Sequence, residues 1–163
     1  MELYFSDRFF SAGTTDIMNE EGASVGTMDL ESMLSASLSV YNSENALRFS
    51  GKFRVFSGKW EVLDGSGFEI GVLRARMSFF SKRYEYDAGS RGIYQIESPA
   101  FSNEYVILDE NEAEIATFQK VSGWFEAGAF RLTNQSTLLD SYELIAVVMG
   151  VHSIQKAASN AAT

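Results

Sequence analysis

The chain has 163 residues, a formal net charge of −9 and no cysteine. Its length fits one domain with a core large enough to be stable without a disulfide or a structural metal, and the lack of cysteine excludes a disulfide framework, a thiolate zinc site and a cysteine nucleophile. The negative charge argues against general attraction to nucleic acid.

Neither end of the chain carries a membrane or export signal. The first residues lack the basic region and apolar run of a secretory signal, and the longest apolar run, residues 144–151, is far too short to cross a bilayer. We therefore expect a cytoplasmic protein with no transmembrane segment.

In chain order, the first predicted element is a strand at residues 2–5, which is followed by three copies of a unit of roughly 45 residues. The copies superpose without gaps, and their apolar and small positions recur in register. The matching segments are residues 16–19, 61–64 and 106–109, and then 25–28, 70–73 and 115–118.

The second copy predicts four strands, at residues 59–63, 70–76, 83–87 and 93–98. The third copy predicts only three, because the pattern after its strand at 129–134 becomes helical. If the strand at 2–5 takes the missing place, the sheet closes on itself and has no exposed edge. The sequence thus predicts a mainly β protein, a closed twelve-stranded antiparallel barrel. A propeller is the alternative, although propellers have at least four blades.

The last predicted element is a helix from about residue 141 to 157, with Asp140 as the N-cap and Glu143 returning the bond in a capping box. The helix is apolar on every side, which is typical of an interior position, so we expect it to run through the barrel. We expect one domain at 1–157 and a disordered tail at 158–163.

Small residues recur at one level of the second strand of each copy, at Gly26, Gly71 and Ala116. We expect this side of the strand to face inward, because a small side chain lets the helix backbone approach the wall.

The chain resembles the LURP-one-related family, which shares its fold with tubby C-terminal domains and phospholipid scramblases. The resemblance covers nearly the whole chain. It depends on the Phe-Ser openings at Phe56 and Phe101, the Leu-Arg-Ala-Arg strand at 73–76 and the hydrophobic stretch at 142–154. It implies a twelve-stranded barrel around a central helix and no established enzymatic activity for most members. Tubby domains bind phosphoinositide head groups, but their binding residues do not align with this chain.

Basic residues concentrate in the second copy. Residues 52–91 contain eight of the thirteen basic side chains and five acids, a local charge of +3. Arg74 and Arg76 lie two apart and so share a face of one strand, and Lys82 and Arg83 follow the next turn. These four side chains are a candidate binding site for an anion or a lipid head group, and a solvated basic surface is the alternative.

Paired aromatic residues occupy two predicted turns. They are Phe79, Phe80, Trp124 and Phe125. Aromatic side chains beside cations are able to insert at a lipid interface or bind a protein, and the alternative is that they cover one end of the barrel.

No motif indicates catalysis, a metal or a cofactor. The acidic turns lack the ligand pattern of an EF-hand, so we interpret them as hairpin turns. His152 is the only histidine, and no Gly-x-Ser-x-Gly elbow accompanies it. We expect a non-enzymatic binding or regulatory module for an anionic or phosphorylated ligand. The alternatives are a scramblase-like membrane protein and a module that binds only protein.

Overall fold

The computed structural model describes residues 1–31, 37–77, 82–98, 102–122 and 128–161. Its strands are β1 (Glu2–Phe5), β2 (Gly13–Met18), β3 (Ser24–Leu30), β4 (Ser37–Asn42), β5 (Leu47–Arg54), β6 (Lys59–Asp64), β7 (Glu69–Arg76), β8 (Lys82–Asp87), β9 (Ile93–Ser98), β10 (Tyr105–Leu108), β11 (Glu114–Lys120) and β12 (Phe130–Asn134). One helix, α1 (Ser141–Ala161), ends the described chain.

The twelve strands form one closed barrel in which every pair of neighbours is antiparallel. The ring closes where β1 pairs with β12, from Glu2 opposite Thr133 to Phe5 opposite Phe130, and β1 also pairs with β2. The N-terminal strand therefore fills the place that the third copy leaves empty, as predicted. The closed barrel is confirmed, and the propeller alternative is wrong.

The helix lies in the interior of the protein. Each residue from 143 to 151 is buried, and α1 packs against β4, β5, β6, β7 and β12. A helix surrounded by strands has no solvent-facing side, which explains why its apolar residues occupy every face. The predicted interior position is confirmed.

The start and the end of the helix differ from the prediction in two respects. Asp140 is the N-cap, since its Oδ1 accepts a hydrogen bond of 2.8 Å from the Tyr142 amide, but Glu143 turns to Tyr86 and Arg91 instead of completing a capping box. The helix also continues to Ala161, so residues 158–161 are its last turn, and residues 162–163 of the predicted disordered tail lie outside the described residues. Alanine is frequent in this last turn, and it is the residue that favours helix most strongly.

The small residues Gly26, Gly71 and Ala116 are buried on the inner face, as predicted. The space they leave is filled differently. A Cβ at Gly71 would lie 2.2 Å from the Tyr86 hydroxyl, and a Cβ at Gly26 would lie 2.3 Å from the Tyr41 carbonyl oxygen and 3.1 Å from the Tyr142 ring. Aromatic side chains and a neighbouring strand, not the helix backbone, require glycine at positions 26 and 71.

The antiparallel order sorts the turns into two groups. Turns that follow even-numbered strands, together with the start of α1, lie at one end of the barrel, and turns that follow odd-numbered strands lie at the other. We call these the helix-start end and the opposite end. All four sequence-predicted cations are near the opposite end.

Candidate anion-binding surface

Two of the predicted cations, Arg74 and Arg76, lie on the outer face of β7, and both already hold a carboxylate. Glu85 stands directly across from Arg74 on β8. Arg74 donates to its Oε1 from Nε (2.9 Å) and Nη2 (2.5 Å), and Arg76 donates to its Oε2 from Nε (2.9 Å) and Nη2. Burial raises the pKa of Glu85, but the two guanidinium groups lower it by more, and the pKa lies below its ordinary value. The cluster therefore keeps a charge of +1.

The other two predicted cations are placed differently. Arg83 forms an ion pair of 3.3 Å with Glu97 on β9, whereas Lys82 is exposed and forms no ion pair with another described residue. The four cations thus share one region without forming an empty cradle. Binding of an outside anion by all four stays a prediction.

All four predicted aromatic residues, Phe79, Phe80, Trp124 and Phe125, lie outside the described residues. The structure instead identifies apolar side chains that the sequence analysis did not single out as a site. Phe56 and Met77 are fully exposed, and Val55 is 78% exposed. Val55 and Phe56 occupy the turn between β5 and β6, and Met77 directly follows β7. Phe56 belongs to a Phe-Ser opening, which the repeat analysis assigned to the fold alone.

Cations flank these apolar side chains at the opposite end of the barrel. Arg54 ends β5, Lys59 begins β6, Arg76 ends β7 and Lys82 begins β8. The two connections are separated by two strand spacings, or about 10 Å. We call these four cations, with Val55, Phe56 and Met77, the basic rim.

The turns at the helix-start end are acidic. Its turns contain Glu20, Glu21, Glu44, Asp109, Glu110 and Glu112, and we call this surface the acidic end. Asp109 Oδ1 accepts backbone hydrogen bonds from Asn111 (2.8 Å) and Ala113 (2.9 Å). Asp64 and Asn19 do the same in the equivalent turns of their copies. These oxygens stabilise hairpin turns, as predicted. Acidic turn residues are therefore more numerous at the helix-start end, while Asp7, Glu31 and Glu104 lie at the opposite end, outside the basic rim.

A second cluster, which the sequence analysis missed, lies inside the helix-start end. The Glu143 carboxylate is 1% exposed. It accepts hydrogen bonds from Tyr86 Oη (2.5 Å) and from Arg91 Nη1 (2.6 Å) and Nη2 (2.9 Å). Arg91 Nη2 also donates to the Ile70 carbonyl at 3.0 Å. Burial, and then the Glu143 charge, raise the pKa of Tyr86. This cluster fastens the first turn of α1 to the barrel wall.

His152 lies further along α1, with its ring centroid 4.2 Å from that of Phe10. Neither ring nitrogen has a hydrogen-bond partner. Burial, and then the charge of Lys156, lower the pKa of His152 to about 4. The histidine is therefore neutral in the folded protein at neutral pH.

Lowering the pH should reduce the free energy of unfolding, because His152 takes up a proton more readily in the unfolded chain. The unfolded pKa is near 6.5 and the folded pKa about 4, so the unfolded chain binds the extra proton as the pH falls from 6.5 towards 4. We expect the free energy of unfolding to decrease by about 2 kcal/mol between pH 7 and pH 5 from this group. Urea unfolding of wild type and His152→Phe at both pH values measures it. An equally steep loss in the variant would contradict the assignment.

Comparison with known proteins supports the architecture. An X-ray structure of a protein from Arabidopsis thaliana superposes on this chain with a TM-score of 0.65 and 9% sequence identity, covering 94% of this chain and 90% of that one. The likeness shows the fold alone. No family model and no curated protein matches the sequence. Within the described ranges, no helix combines the length and the apolar character that crossing a bilayer requires.

Proposed function

We propose that this chain is a non-enzymatic cytoplasmic binding module of the LURP-one-related type, and that its basic rim docks on an anionic lipid surface. The observation that carries the proposal is the pair of fully exposed apolar side chains, Phe56 and Met77, between cations at one end of the barrel. Apolar side chains of this kind are favoured at a lipid interface, where flanking cations meet negative head groups.

Charge polarity supports this orientation. The chain is acidic overall, so a uniform distribution of charge would repel an anionic surface. More of the acidic turn residues lie at the helix-start end, about a barrel length away from the basic rim, than at the opposite end. Screening reduces their effect beyond roughly 8 Å at physiological ionic strength. The basic rim is therefore free to approach negative lipid while the acidic end points away.

The buried helix favours docking by the rim over a scramblase-like insertion of α1 in the membrane. Residues 143–151 are all buried within the barrel. Moving them to lipid would remove them from the core and break the contacts of Glu143 with Arg91 and Tyr86. The basic rim needs no such rearrangement. The buried carboxylates of Glu61, Glu85 and Glu143 each form an ion pair with arginine, which supports a role in binding over one in catalysis.

Co-sedimentation with vesicles tests the proposal. Wild type is mixed with vesicles of phosphatidylcholine alone, or of phosphatidylcholine with phosphatidylserine, at low and at moderate salt. We expect it to pellet only with the anionic vesicles and less at higher salt, since screening weakens exposed charge interactions. Each cation near an anionic surface contributes about 1 kcal/mol to the free energy of binding. Lys59→Ser/Lys82→Ser should therefore bind roughly 30-fold more weakly.

The matched control is Arg48→Ser/Lys120→Ser, which changes the net charge equally, because Arg48 lies at the helix-start end of β5 and Lys120 ends β11, outside the basic rim. It should bind as wild type does. Phe56→Ser should also weaken binding, because it removes the fully exposed ring. Equal loss in the control and the rim variant would reduce the effect to net charge and contradict a defined docking surface. Failure of wild type to pellet at low salt would overturn the proposal.

A further inference from the structure

The two ends of the barrel are complementary in shape as well as in charge. At the opposite end, Phe56 projects from the turn between β5 and β6 and is fully exposed. At the helix-start end, an open groove of about 320 Å³ lies beside the turn before β9. An exposed aromatic side chain and an open groove thus lie at opposite ends of one molecule.

Apolar, polar and acidic residues line the groove, and the arginine among them, Arg91, is already paired with Glu143. Leu138 and Ile93 line it and are 58% and 40% exposed, while Tyr94 is buried. Asp109 and Glu110 line the same groove from the turn between β10 and β11. Its volume is at the lower limit for pockets that enclose a small ligand. One aromatic side chain fits this combination of size and lining.

The neighbours of Phe56 are complementary in charge to the acidic residues of the groove. Arg54 and Lys59 lie directly opposite one another at the base of the Phe56 turn. Arg54 shares the Glu61 carboxylate with Lys52, and Lys59 forms no ion pair within the described ranges. A ring that enters the groove would bring these cations towards Asp109 and Glu110. Opposite charges around an apolar contact favour association and fix its orientation.

We infer that Phe56 of one copy binds in this groove of a second copy, so that the barrels associate head to tail. Phe56, which we call the knob, and the groove lie on different surfaces of one molecule, so their contact is heterologous. It leaves a free knob at one end of the pair and a free groove at the other. Association therefore continues beyond the dimer as concentration rises. The net charge of −9 opposes it, which keeps the contact weak and reversible.

This inference goes beyond the proposed function, because it gives the basic rim a second partner and assigns a partner to the acidic end. Lipid and a second copy would compete for Phe56. The two proposals are distinguishable, since head-to-tail association is measured without lipid and vesicle binding is measured at low protein concentration.

Sedimentation velocity over a wide range of protein concentration tests the inference. We expect the sedimentation coefficient of wild type to increase with concentration, more strongly at low salt than at high salt. Phe56→Ser removes the knob, and Leu138→Arg blocks the groove and repels Arg54 and Lys59. Each variant alone should associate at least about ten-fold more weakly, as expected for loss of one buried aromatic contact. Both side chains are exposed, so folding should be unaffected.

A mixing experiment identifies the contact uniquely. Phe56→Ser keeps its groove and Leu138→Arg keeps its knob, so an equimolar mixture should form dimers and nothing larger. Phe68→Ser is the matched control, because Phe68 is also an exposed phenylalanine in a turn but lines neither surface. It should associate as wild type does. A wild type that stays monomeric at every concentration, a mixture that stays monomeric, or equal loss in Phe68→Ser would each overturn the inference.

Discussion

Arg91→Met should lower the free energy of unfolding by about 3–5 kcal/mol, because it leaves a buried carboxylate without its counter-charge. Glu143 is 1% exposed, and both of its oxygens accept hydrogen bonds from Arg91. The Tyr86 hydroxyl remains as a neutral donor, which does not replace a guanidinium group. Urea unfolding at neutral pH, followed by fluorescence, measures the loss.

Two variants separate this effect from ordinary ion-pair loss. Arg83→Met breaks the ion pair with Glu97, in which the arginine side chain is 51% exposed and the glutamate side chain 39%. This variant should lower the free energy of unfolding by at most about 1 kcal/mol. Arg91→Met/Glu143→Leu removes both buried charges and should recover most of the stability, since an apolar replacement for a buried pair is often neutral or stabilising. A double variant as unstable as Arg91→Met would show that the packing of Arg91, not the charge of Glu143, causes the loss.

The architecture was predictable because the sequence contains three copies of one repeat unit. The positions of turns and inward-facing residues agree between copies, so each copy corrects errors in the others, and the predicted strands of the second copy agree with the structure to within one residue at each end. The closing strand followed from counting. No comparable repetition exists for the sites, because Arg74 and Glu85 make a contact that belongs to one copy.

The alternation of apolar and polar residues along a strand does not determine which charged residues form pairs. Arg74 and Glu85 are eleven residues apart and meet only because β7 and β8 pair in one particular register. Glu143 has the spacing of a capping box, but a carboxylate three residues into a helix also reaches whatever packs beside that turn. Here Arg91, fifty-two residues away in sequence, provides a stronger partner than the backbone amide of Asp140.

At Gly150 in α1, helix propensity favours alanine, whereas the packing of the core favours glycine. Replacing a helical glycine by alanine normally stabilises a protein by about 1 kcal/mol. At Gly150, however, a Cβ would lie 2.4 Å from Trp60 Cδ1 and 2.6 Å from Cγ. The indole is fully buried and also packs closely against Gly51 on β5, where a Cβ would lie 2.3 Å from Cζ2, so it has little room to move.

We therefore expect Gly150→Ala to lower the free energy of unfolding by about 3 kcal/mol, the upper range for overpacking a core. Urea unfolding followed by circular dichroism measures it. Ser159→Ala, at an exposed position of the same helix, is the control and should change stability by less than about 0.5 kcal/mol. In a Trp60→Leu background the clash is absent, so Gly150→Ala should become neutral or stabilising, and the difference between backgrounds is the coupling energy between the two residues. A stabilising Gly150→Ala in the wild-type background would show that the indole has room to shift, and would contradict the expected clash.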